Sequence, residues 1–153
     1  PRTGRPRRLP RLRPGRVRLR VRRHRHRARR LDLRLDVAAG RDAGARLLGL
    51  ADRPTAVFCA NDLLALGVLQ ALYAAGVKVP DAISIVGYDD IEFAAAATVP
   101  LTSVRRPAHT LGTVAAQLLL QETGEHAAGH RHQRVVLRPE LVVRGSSRAL
   151  PGA

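Results

Sequence analysis

The sequence predicts an α/β fold built on a parallel sheet, and three observations carry that prediction. Short apolar runs alternate along the chain with longer stretches of helical periodicity. The stretch AVFCANDLLALGVLQALYAAGVKVPDAISIVGYDD, Ala56 to Asp90, reads as strand, polar turn, helix, turn, strand, polar turn. Both strands end in hydrogen-bonding side chains, Asn61 and Asp62 after the first and Asp89 and Asp90 after the second. Ligands of open parallel sheets bind in the crevice outside the carboxyl ends of the strands, so a small polar molecule would be read at these residues.

The chain opens on a segment of different character. Residues 1–30 hold fifteen arginines and no acid, while residues 31–153 hold twelve Lys or Arg and twelve Asp or Glu. The net charge of +15 is therefore that of the first segment, 15 − 0, and the remainder is neutral, 12 − 12. With like charges throughout and no apolar face to bury, residues 1–35 are expected to be a disordered Arg/Pro-rich tail. An arginine arm neutralising nucleic-acid phosphates is one reading of it. A passive tail or out-of-frame sequence is preferred, because its residue types have GC-rich codons and Lys78 is the only lysine of the chain. No pair of amphipathic helices suited to DNA recognition is visible there. The length of 153 residues leaves room for one domain, expected over residues 36–148, with a short tail at 149–153.

Asp36 can cap a first helix that carries Val37, Ala45, Leu47, Leu48 and Leu50 and stops before Pro54, packed on one face of the sheet. Gly40 and Gly44 weaken it, at about 1 kcal/mol each relative to Ala. Ala56 to Ala60 is a continuous apolar run, expected as a strand covered on both faces. Asn61 caps the next helix, whose broad stripe runs through Leu63, Leu64, Leu66, Val68, Leu69, Leu72 and Tyr73 to a stop at Gly76. Ile83 to Val86 is the second strand, and Gly87 permits close approach of backbone or ligand. The connection is long enough for a right-handed parallel crossover.

After Asp90 the alanine-rich segment to Pro100 is a helical turn or two, and Leu101 to Val104 is a third strand. Pro107 suits the first turn of a helix through Leu111, Val114, Ala115, Leu118 and Leu119 to about Glu122. Thr123 to Gln133 reads as a loop. Two extended pieces follow, Arg134 to Leu137 and Glu140 to Val143, with Pro139 arguing for an edge or a turn.

Cys59 is the only cysteine, so no intrachain disulfide can form and a reducing compartment, the cytoplasm, is expected. Inside an apolar strand it reads as a buried, inert thiol. No apolar run reaches the 18 or so residues of a membrane span, and the start lacks the apolar middle region of a signal peptide. His126, His130 and His132 stand in a Gly-rich loop with no cysteine or carboxylate cluster, which favours a solvated loop over a metal site. Asp89 with Asp90 lacks a partner acid or nucleophile, so catalysis is not expected, nor is any cofactor. Asp62 and Asp90 are read as capping or solvated. Asn61 is at least a helix cap, and Arg105 and Arg106 are able to meet an anionic ligand.

The blocks PTAVFCANDLLALGVLQALYAAGVKVPDAISIVGYDDIEFA, PLTSVRRPAHTLG and VVLRPELVVRGSS, within Gly40 to Ser147, resemble the C-terminal part of bacterial transcription regulators of the lac and galactose repressor family. The resemblance implies a Rossmann-like lobe of a periplasmic-binding-protein-like type I domain, preceded in full-length members by a second lobe and a helix-turn-helix. Neither is recognisable here, so a fragment is expected. By the family's motifs, Asn61 and Asp89 are implied as effector-binding residues, for a sugar or a nucleoside. The family often has Gln where this chain has Arg106. Family members dimerise through this lobe, which implies a homodimer contact around Leu66 and Leu69, with core packing as the alternative use of either leucine. Operator DNA would be met through the missing helix-turn-helix. A solute-binding protein of an uptake system, or a nucleic-acid-binding protein acting through its arginine arm, are the rival classes.

Overall fold

The computed structural model describes residues 17–18, 32–123 and 133–149. Most of the expected N-terminal tail lies outside these residues, as do His126, His130 and His132. Within the tail, β1 (Val17–Arg18) pairs antiparallel with β2 (Asp32–Leu33), a short ladder where no regular structure was expected.

The domain proper is a four-stranded sheet in the order β3-β4-β5-β6. Strands β3 (Ala56–Phe58), β4 (Ser84–Asp89) and β5 (Thr102–Arg105) are parallel, and β6 (Glu140–Val142) joins antiparallel at the edge. An edge position is where a chain containing Pro139 is expected to sit, because proline offers the ladder no N–H. Arg134 to Leu137, expected as extended, enters no ladder. The β3-α2-β4 crossover is the unit predicted from Ala56 to Asp90.

Helix α1 (Val37–Leu48) is capped by Asp36, whose carboxylate accepts from the Ala39 N–H at 2.8 Å. Its glycines have a packing reason that helical propensity alone does not reveal. A Cβ at Gly40 would run into the Leu64 carbonyl of α2 (Asp62–Ala74), and one at Gly67 into Val37 O and Arg41 N. Glycine on both helices thus lets the two backbones touch, and α1 packs directly on α2.

Val57, Cys59 and Ile85 face the helices and join Leu64, Val68 and Leu72 in the core. The opposite face of β3 is open: Phe58 is 40% exposed and Ala56 is exposed. The strand is therefore covered on one face, not two. An apolar run cannot distinguish a strand covered on both faces from one whose second face lacks a neighbour among the described residues.

Helix α3 (Glu92–Ala96) follows β4, and α4 (Ala108–Thr123) follows β5. None of the residues of α4 is buried, although it carries Leu111, Leu118, Leu119 and Leu120. Its apolar stripe has no covering element among the described residues.

Candidate functional site

The three parallel strands end at one edge of the sheet, and the candidate residues gather there. Phe58 pairs in register with Val86, and Asn61 and Asp89 each stand three residues further on, 58 + 3 and 86 + 3. Asp89 pairs in register with Arg105, which brings Arg106 to the same edge.

Asn61 is the N-cap of α2: its Oδ1 accepts from the Leu64 N–H at 2.9 Å. Its Nδ2 donates to Leu35 O at 3.2 Å. The side chain is half-buried and retains one lone pair on Oδ1 and one proton on Nδ2, since an amide offers two of each.

Asp89 and Asp90 form an unusual turn, with φ of 105° and 54°. Positive φ costs a residue with a Cβ about 1 kcal/mol or more, so other contacts must hold the turn. Asp89 accepts a 2.7 Å hydrogen bond from Arg106 Nε through Oδ1, and its side chain remains a quarter exposed. Asp90 accepts from Arg144 Nη1 at 2.6 Å and from Arg105 Nε at 2.7 Å. Its side chain is only 4% exposed, so it is not a solvated acid. The hydrogen bond from Arg144 is the main reason its carboxyl titrates below the usual range; burial opposes this, and Arg105 adds to it.

Asp62 departs further from expectation. It is fully buried, accepting from Ser103 Oγ at 2.6 Å and from the Ile91 N–H at 2.9 Å. Burial pushes its carboxyl above the usual range, against the lowering effect of both hydrogen bonds, and the charges of Asp89 and Asp90 add to the rise. A Cβ at Gly87 would collide with Asp62 Oδ1, so the group that needs the space at Gly87 is this carboxylate. Ser103 Oγ in turn accepts from the Asp90 N–H at 3.1 Å.

Sequence reasoning missed Ser103 and Arg144. Arg144 belongs to the RGSS block, whose Ser146 bridges β4 and β5. Ser146 Oγ donates to Ile85 O at 2.6 Å and accepts from the Thr102 N–H at 2.8 Å. A small polar cluster after a strand was the available signal, but nothing in it names its partners.

Leu66 is half-buried and Leu69 is 7% exposed, within the core. Together with the exposed Tyr73 they follow one helical stripe. Cys59 is buried, and desolvation pushes its thiol up to about 12, which keeps it protonated. Among the described residues no group of three or more His, Cys, Asp or Glu could hold a metal ion, and no helix is long and apolar enough to cross a membrane.

Known proteins share this sequence and this fold. Residues 3–147 match the sequence model of the periplasmic binding protein-like domain. The chain is 40% identical over 115 residues to a "Probable HTH-type transcriptional repressor ExuR" of Bacillus subtilis, covering 75% of this chain and 34% of that protein. It is 44% identical over 108 residues to the ribose operon repressor of Escherichia coli, covering 71% of this chain and 32% of that one. A LacI family transcriptional regulator from Enterococcus faecium, solved with bound ribose, superposes with a TM-score of 0.69 at 30% identity, covering 79% of this chain and 44% of the regulator. The chain thus spans about a third of the length of the curated relatives it matches.

Proposed function

We propose that this chain, which belongs to the periplasmic binding protein-like domain family and whose curated relatives are transcriptional repressors, is the effector-sensing lobe of a regulator of the lac repressor kind. The effector is a small polyhydroxylated molecule, a sugar or a nucleoside, met at the carboxyl edge of the sheet by Asn61 and Asp89. One observation carries this reading: two polar side chains stand at the same distance beyond register-paired residues of adjacent parallel strands. The carboxylate accepts hydrogen bonds from hydroxyls, and the amide both donates and accepts. The ribose bound to the Enterococcus faecium regulator supports the chemical class.

Asn61 and Asp89 stand only partly buried at the carboxyl edge, and the apolar stripe of α4, none of it buried, supports a neighbouring lobe as its natural cover. Ligand held between two lobes favours one arrangement of them, to the extent that its affinity for the two arrangements differs. A homodimer formed along the Leu66 side of α2 would carry that preference to a helix-turn-helix on operator DNA, in the cytoplasm. Leu69 supports this face from within the core. The role is binding, not catalysis, in keeping with relatives that are repressors.

Isothermal titration of the chain with a panel of sugars and nucleosides tests the two-lobe reading. Weak binding is expected, with Kd on the order of millimolar, or about −4 kcal/mol. Tight binding by the chain alone would contradict the need for a second lobe.

A further inference from the structure

We infer that Asp62 is the positioning residue for Asp89, an inference that rests on the sensor reading above. Asp62 directly follows Asn61, so one end of its influence is the cap of α2. At the other end its two carboxylate oxygens hold the turn that carries Asp89. Oδ2 takes the Ile91 N–H at 2.9 Å, and Oδ1 takes the Ser103 hydroxyl at 2.6 Å. That hydroxyl oxygen then receives the Asp90 N–H at 3.1 Å. Two successive N–H groups after Asp89 are thereby fixed to one buried carboxylate, directly and through one hydroxyl.

The turn needs such fixing, because Asp89 and Asp90 both have positive φ and neither is glycine. Left without these acceptors, the turn relaxes towards negative φ and the Asp89 carboxylate leaves its place at the carboxyl edge of the sheet. The Asp90 carboxylate is held separately by Arg105 and Arg144, which anchor its side chain but leave the N–H groups of Asp90 and Ile91 to the Asp62 network. Gly87 completes the arrangement, since any Cβ there would displace the carboxylate. Asp62 is itself fully buried and out of reach of an effector at the sheet edge, so it acts through Asp89.

The test uses the full chain with Asp62→Asn, and with Ser103→Ala as a gentler second variant that removes only the relayed bond. Amide hydrogen exchange by NMR reports the Asp90 and Ile91 N–H groups, with Val57 and Leu72 as reporters of the core. Chemical-shift titration with D-ribose, and of the parent chain also with D-glucose and adenosine, reports the proposed sensing edge. Exchange at Ile91 and Asp90 is expected to quicken at least tenfold in Asp62→Asn, and at Asp90 alone in Ser103→Ala, with core exchange retained. The ribose response at Asp89 is expected to weaken in step with the loss of protection at the turn. A merely structural role would move core and turn exchange together and leave the ribose response of the folded fraction intact. That result, or unchanged exchange at Ile91 and Asp90 in Asp62→Asn, would overturn the inference. Absence of any ribose, glucose or adenosine response in the parent chain would instead contradict the sensor reading, while the exchange data would still decide whether Asp62 holds the turn.

Discussion

Arg106 donates from Nε to Asp89 Oδ1 at 2.7 Å, so the carboxylate proposed to meet the effector is already half of an ion pair. Both partners are open to solvent, the arginine side chain 44% and the aspartate 25% exposed, and such pairs contribute roughly 0–1 kcal/mol. Arg106→Gln should therefore leave chemical-denaturation stability within about 1 kcal/mol of the parent. It frees Oδ1 for a ligand hydroxyl, so the ribose response should change by less than about tenfold. Asp89→Ala, which removes a charged hydrogen-bonding partner worth about 1.5–3 kcal/mol, should weaken it by on the order of ten- to a hundredfold.

Glycines in this fold divide by their neighbours. Gly67→Ala forces a methyl into the Val37 carbonyl and the Arg41 amide, both backbone, and should lower stability by about 1–3 kcal/mol through separation of α1 and α2. Gly112→Ala sits within α4 with nothing in reach of its Cβ and should raise stability by roughly 0.5–1 kcal/mol. Urea unfolding of the two variants checks the opposite signs.

The Asp90 network sets a pH dependence. Its carboxyl is lowered in the folded chain, so the stability it contributes is present above the ordinary carboxylate pKa and is lost as pH falls through the lowered value. Arg144→Ala should cost about 1.5–3 kcal/mol near neutral pH and progressively less in acid. Asp62 works in the opposite sense: its raised carboxyl contributes stability below the ordinary pKa that is lost as pH rises through the folded value. Denaturation at several pH values, compared with Asp62→Asn, separates the two contributions.

Self-association is expected along the stripe of α2 that includes Leu66 and Tyr73. Sedimentation over a range of concentrations should show a monomer–dimer equilibrium, weakened by Tyr73→Glu, which alters an exposed side chain and spares the core. A parent chain that stays monomeric up to crystallographic concentrations would remove the dimer from the proposal.

Much of the fold was legible because local signals agreed with the tertiary arrangement. Asp36 and Asn61 both cap where their positions predict, and the Ala56–Asp90 unit is the parallel crossover read from it. What was not legible depends on partners distant in sequence. Gly40 reads as a helix weakness until Gly67 is seen against the same helix. Asp62 and Asp90 look solvated beside Asn61 and Asp89, and only the return of Ser103, Arg105 and Arg144 to the same edge explains their burial. The leucines of α4 satisfy a helical stripe, yet periodicity cannot say which body covers it. The candidate site residues Asn61 and Asp89 were proposed from the family's motifs, whereas the network behind them required the fold.

The most direct test of the sensor account is a ribose titration followed by 15N–1H NMR on the parent chain, Asn61→Ala and Asp89→Ala. The account predicts shifts confined to Asn61, Asp89 and Arg106 and their neighbours along the carboxyl edge, much reduced in both variants. Shifts located at the opposite end of the sheet, or equal responses in parent and Asp89→Ala, would contradict it.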